Sequence, residues 1–104
     1  MTEQQATICY QDSQFIISGD LTFATVPVVW NKSQPMLDGK AQLLLDFSRV
    51  TSSNSAGLAL ILEWLKYAKY HNKKIQLHHL PPQLLTIARV AGLDALLHEY
   101  QKTD

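Results

Sequence analysis

Apolar positions along this 104-residue chain alternate between the two-residue rhythm of strands and the 3.6-residue rhythm of helices. "ATICY" (Ala6 to Tyr10) and "QFIISG" (Gln14 to Gly19) are short β-prone runs separated by Gln11, Asp12 and Ser13. They predict a hairpin, with Gly19 closing the second strand. In "LTFATVPVVWNKSQPML", Thr25 can cap a helix whose first turn holds Pro27, where a missing N–H costs nothing. That helix should be disturbed or ended near Pro35. Asp38-Gly39 marks a turn. "AQLLLDFS" (Ala41 to Ser48) contains Leu43, Leu44 and Leu45 in succession. A strand apolar at successive positions is buried on both faces, which predicts a central, parallel strand.

A helix follows from about Ala56 to His71, then the strand "IQLHHL" (Ile75 to Leu80). Pro81-Pro82 open a third helix through about Ala91, with Leu84, Leu85, Ala88 and Ala91 on one face and Gly92 as its stop. "LDALLHEY" reads equally as a short helix or a strand. The order ββαβαβα plus a tail predicts a single α/β domain. Its sheet is mixed and mostly parallel, of about four or five strands packed with about three or four helices.

On a helical wheel, Leu58, Ile61, Leu62, Leu65 and Ala68 share the sector that packs on the sheet. Leu60, Trp64, Tyr67 and His71 form a second stripe centred about 130° away. A helix lying on one side of a sheet should show a polar outer face there. Two readings stand. Trp64 and Tyr67 tuck against a neighbouring helix, or the stripe is a protein-docking surface, since exposed aromatic residues mark interfaces. Such a stripe could also carry self-association.

Directly before this helix stand Thr51, Ser52, Ser53, Asn54 and Ser55, followed by Ala56-Gly57. One capping oxygen suffices for a helix start. Ser55 is the expected cap, with Asn54 and Ser53 as competitors. Gly57 costs the helix about 1 kcal/mol relative to Ala, which is explained if another backbone approaches it closely. The run follows the carboxyl end of a central strand, where open parallel sheets bind ligands and partners. A phosphate there would be held by free N–H groups and the helix dipole.

Nine basic residues balance nine acidic ones, which argues against a nucleic-acid surface. The lone Cys9 excludes an internal disulfide. The first residues, "MTEQQATICYQD", lack a signal-peptide pattern, and no run reaches the length of a membrane span. The expectation is a soluble cytoplasmic domain with no direct membrane insertion.

"LLLDFSRVTSSNSAGLALIL" resembles the signature of STAS domains (sulfate transporter and anti-sigma factor antagonist). In that signature a hydrophobic strand ending in Asp leads through a short loop to Asp-Ser/Thr-small-Gly-Leu, matched here by Asn54, Ser55, Ala56, Gly57 and Leu58. "SGDLTF" and "LPPQLLTIARVAGL" extend the resemblance over nearly the whole chain. The "GLALIL" continuation is most similar to the stand-alone STAS subunit of Mla-type phospholipid ABC transporters.

The resemblance implies a single STAS-like domain, a non-enzymatic accessory subunit that binds the cytoplasmic ATPase and, through it, a membrane permease. Its implied place is cytoplasmic, peripheral to the inner membrane. Partner-binding residues would be Ser53, Asn54, Ser55, Ala56, Gly57, Leu60, Trp64 and Tyr67. The alternative is an anti-sigma factor antagonist regulated by phosphorylation at Ser55. Asn54 stands where the family often has Asp, which weakens the kinase-controlled reading while keeping a capping role.

Other chemistry has little support. No Gly-rich phosphate loop occurs, so no nucleotide cofactor is expected. Ser55 lies in no G-x-S-x-G motif, so no catalytic residue is expected. His78 and His79, adjacent on a strand, would point to opposite faces and share no metal. Asp46 reads as a loop-organising acceptor. A small hydrolase or ligand-binding domain is the reading from a third class, and it requires a concave pocket at Ser55 with a base in reach.

Overall fold

A computed structural model describes residues 5–101. The hairpin forms as β1 (Ala6–Gln11) and β2 (Gln14–Leu21), antiparallel, with Asp12 and Ser13 at positive φ in the turn. Then come α1 (Val26–Leu37), β3 (Gln42–Ser53), α2 (Ser55–Tyr70), β4 (Lys74–His78), α3 (Pro82–Val90) and α4 (Asp94–Tyr100). The strands make one sheet in the order β1-β2-β3-β4, with β3 parallel to both of its neighbours. The segment Asp94–Tyr100 is therefore helical, and among the described residues only an isolated bridge from Gln101 to Leu77 extends the sheet beyond β4.

Register puts one apolar row on the covered side of the sheet. Ile8 faces Ile17, Phe15 faces Leu45, and Leu45 in turn faces Leu77. All of these are fully buried, together with Leu43 and Phe47. The three leucines of β3 do not bury equally. Leu43 and Leu45 point into the core, while Leu44 is only half-buried on the other face, beside Gln76. The strand is central and parallel, but burial alternates, because its second face carries no comparable apolar layer.

Two further expectations change. β3 does not stop near Ser48. It runs through Thr51 and Ser52 to Ser53, because β2 continues past Gly19 and supplies Asp20 and Leu21 as partners for Ser52 and Ser53. Most of the polar run is thus strand, and Asp46 lies inside it. Helix α1 also passes through Pro35 and ends at Leu37. Proline falls in the last turn, where little helix remains to disrupt, and fully buried Leu37 anchors the end. Lys73 Nζ donates to the carbonyls of Leu37 and Lys40, at 3.2 and 2.7 Å, closing that terminus.

Thr25 occupies the cap position of α1 without capping it. Its hydroxyl donates to the Asp20 carbonyl at 2.6 Å and accepts the Thr22 N–H at 2.9 Å. The pair of threonines ties the end of β2 to the helix start.

Candidate functional site

Helix α2 is buried on two sides. Leu58, Ile61, Leu65 and Ala68 are buried in the core, as the wheel requires, while Leu62 of the same sector is only half-buried. Within the second stripe Leu60 and Trp64 meet the core and α1 rather than solvent, while His71 at its far end is exposed. Leu60 and Trp64 are fully buried, and the Trp64 indole N–H donates to Ser33 Oγ of α1 at 3.1 Å. Ser33 Oγ in turn donates to the Trp30 carbonyl at 2.7 Å. A buried indole needs such a partner. Leu60 and Trp64 therefore cannot form a partner-facing surface, nor a self-association stripe. Tyr67 is half-buried, its ring 4.3 Å from that of His71. Burial, helped by the Asp38 carboxylate, pushes the Tyr67 hydroxyl above its ordinary pKa.

The amino end of α2 is different. Asn54 is the cap, and its Oδ1 accepts the Ala56 N–H at 2.8 Å. Ser55, the expected cap, is instead the first helical residue. Both Asn54 and Ser55 are exposed, while Ala56 and Gly57 immediately behind them are buried. A Cβ on Gly57 would overlap Ser53 Oγ and press on Leu21. The glycine thus answers crowding inside the domain, from side chains rather than from a second backbone.

Three contacts fix the loop. Asn54 N–H donates to the Leu21 carbonyl at 3.1 Å. Ser53 N–H donates to Gln83 Oε1 of α3 at 3.0 Å, and Ser53 Oγ donates to the Asn54 carbonyl at 2.9 Å. The end of β2, the end of β3 and α3 converge here, so Ser55 is presented on a rigid frame. Gln83 was not legible in sequence, since a side chain 30 positions away leaves no local signal. Ser33 did leave one. Val29, Ser33 and Leu37 repeat every four residues and are all buried, so the serine sits on a core face where its hydroxyl needs a partner.

A groove of about 410 Å³ beside the loop is lined by Ser53, Pro82, Gln83, Thr86 and Ile87. Its lining contains no residue able to act as a general base, and Ser55 is not part of it.

Asp46 organises a second corner. Burial works to raise its pKa, but hydrogen bonds from His79 and Ser48 outweigh it and hold the carboxyl below its ordinary value. Its Oδ1 lies 2.9 Å from His79 Nδ1, and it accepts the Ser48 N–H and hydroxyl. His79 lies beyond β4 with φ at 58°, so the two histidines are not both on the strand. Among the described residues no three metal-ligating side chains come together.

The family model described as "Mlab, STAS domain" matches residues 10–98. The chain belongs to the STAS family. No curated protein matches it. Among solved structures, the STAS fold of this chain is similar to the anti-sigma factor antagonist SpoIIAA in its unphosphorylated form. That match has a TM-score of 0.69 at 15% identity, covering 93% of this chain and 85% of the other. It is also similar to a sulfate transporter family protein from Wolinella succinogenes, with a TM-score of 0.57 at 14% identity, covering 94% of this chain and 74% of that one. At such identity these likenesses establish the fold alone. Among the described residues of this STAS domain, no helix is long and apolar enough to cross a membrane.

Proposed function

We propose that this STAS domain is a non-enzymatic accessory subunit of a phospholipid-transport ABC transporter. It docks on the cytoplasmic ATPase through the amino end of α2 and the adjoining face of α3, and is peripheral to the inner membrane through that partner. The observation that carries the reading is the exposed Asn54-Ser55 pair on its fixed frame, in a chain that matches the Mlab-type family model. Strongly exposed Val90 lies on the same helix as Gln83 and Thr86. A polar centre beside an apolar flank suits a protein partner.

The domain acts by binding the assembled ATPase better than the alternative state, and can shift that equilibrium only by its difference in affinity. The test is co-purification with an ATPase of this transporter class. Ser55→Arg should abolish the complex, and an undiminished complex would reject this surface.

A second reading, the anti-sigma factor antagonist, is favoured by one observation. The Ser55 hydroxyl is exposed at the first position of a helix, in a fold shared with SpoIIAA. It requires phosphate on Ser55 in cells. Intact-mass measurement under several growth conditions decides it, since an unmodified mass throughout contradicts kinase control.

A further inference from the structure

The opposite end of α2 carries a feature that partner docking at Ser55 does not use. "KYAKYHNKK" places Lys66, Lys69, Lys73 and Lys74 within nine positions, four of the nine basic residues of a chain with zero formal net charge. Lys66, Lys69 and Lys74 are exposed, and so is Tyr70, at 83%. The rings of Tyr67 and Tyr70 flank that of His71, with centroids 4.3 and 5.3 Å away. Lys69, Lys73 and Lys74 share a cleft of about 360 Å³ with Tyr100. The cluster's acidic neighbours include Glu63, 3.6 Å from Lys66, and Asp38, whose carboxylate acts on Tyr67. Positive charge is thus concentrated at one end of an otherwise balanced molecule.

We propose that this end is a headgroup-level contact for anionic phospholipid. The residue types decide between the candidate anions. A fixed acidic epitope is best read by arginine, whose planar fork matches a carboxylate. The stretch contains no arginine, since Arg49 lies on β3 and Arg89 on α3. Lysine is a mobile point charge, suited to a diffuse and fluid anionic surface. Tyrosine, apolar in body and polar at its tip, belongs at the level of headgroups. The helix dipole does not account for the cluster, because Lys69 alone lies in the last turn of α2. Each lysine near such a surface adds about a fivefold gain in partitioning. Three exposed lysines give a weak contact that orients a domain already held near a bilayer and does not insert into it. The contact needs no ATPase, so it stands or falls apart from the docking at Ser55.

Flotation of the purified full chain tests it. With vesicles of phosphatidylethanolamine and phosphatidylglycerol at about 7:3, partitioning should exceed that on pure phosphatidylcholine about a hundredfold at low salt. It should collapse at about 300 mM salt. Lys66→Gln combined with Lys69→Gln should remove about 25-fold, and Lys69→Glu combined with Lys74→Glu more than that. Arg89→Glu, on α3, should change partitioning less than about twofold, with thermal melting reported for every variant. Equal partitioning on both vesicles overturns the proposal, as does an Arg89→Glu loss equal to that of the lysine pair. Tighter binding to poly-glutamate or to an oligonucleotide than to the anionic vesicles overturns it in favour of those partners.

Discussion

At its amino end α2 presents Asn54 and Ser55 to solvent, while along its flank, from the second turn onward, Leu60 and Trp64 lie in the core. Both regions look out of place for a helix covering one face of a sheet, one through crowded hydroxyls and the other through a surplus aromatic stripe. The flank is explained from within the domain. Helix α1 lies beside α2, and the Ser33 hydroxyl completes the indole N–H. The amino end is explained only in part. Asn54 and Gly57 have internal reasons, the cap and the crowding by Ser53 and Leu21. Ser55 has none, and that residue carries the functional reading. An unusual residue becomes evidence for a partner only after the domain's own contacts have been subtracted.

The contrast can be broken most severely at Trp64. Trp64→Ala should cost about 3–5 kcal/mol, measured by urea denaturation, because it empties the contact between α1 and α2. A loss below about 1 kcal/mol would mean that the flank is not core. Ser33→Ala should cost about 1–3 kcal/mol by leaving the buried indole N–H without its acceptor. Asn54→Ala should cost about 1 kcal/mol through the lost cap, while Asn54→Asp should hold stability, since both residues cap and the carboxylate also faces the positive end of the helix.

The smallest effect belongs to Asp46. Its carboxyl pKa is held below the ordinary value in the folded chain, so its contribution is present above about pH 4. It is lost as pH falls through the depressed folded value. Asp46→Asn should therefore flatten the acid limb of the stability curve below about pH 4. Titrating the melting temperature of both proteins checks this.

How much was legible in the sequence follows the range of the signal. The hairpin, the leucine strand and the proline-started α3 rest on local pattern, and each formed close to its expected place. The extension of β3 through Thr51 to Ser53 was not legible, since it depends on Asp20 and Leu21 arriving as strand partners. The wheel separated the two stripes of α2 correctly but could not say what covered the second, because the course of α1 is a tertiary fact. For the candidate site, the signature run spans the junction of β3 and α2, whose partner-facing role is the proposal made above. The cap assignment erred by one residue, because Ser55 and Asn54 are both good caps and only backbone geometry separates them.

The decisive measurement pairs Ser55→Arg with Trp64→Phe in co-purification with the ATPase. Ser55→Arg should keep the wild-type melting temperature and lose the complex, while Trp64→Phe should melt earlier and keep it. A Ser55→Arg protein that still co-purifies in full yield would contradict the assignment of the amino end of α2 as the partner-facing surface.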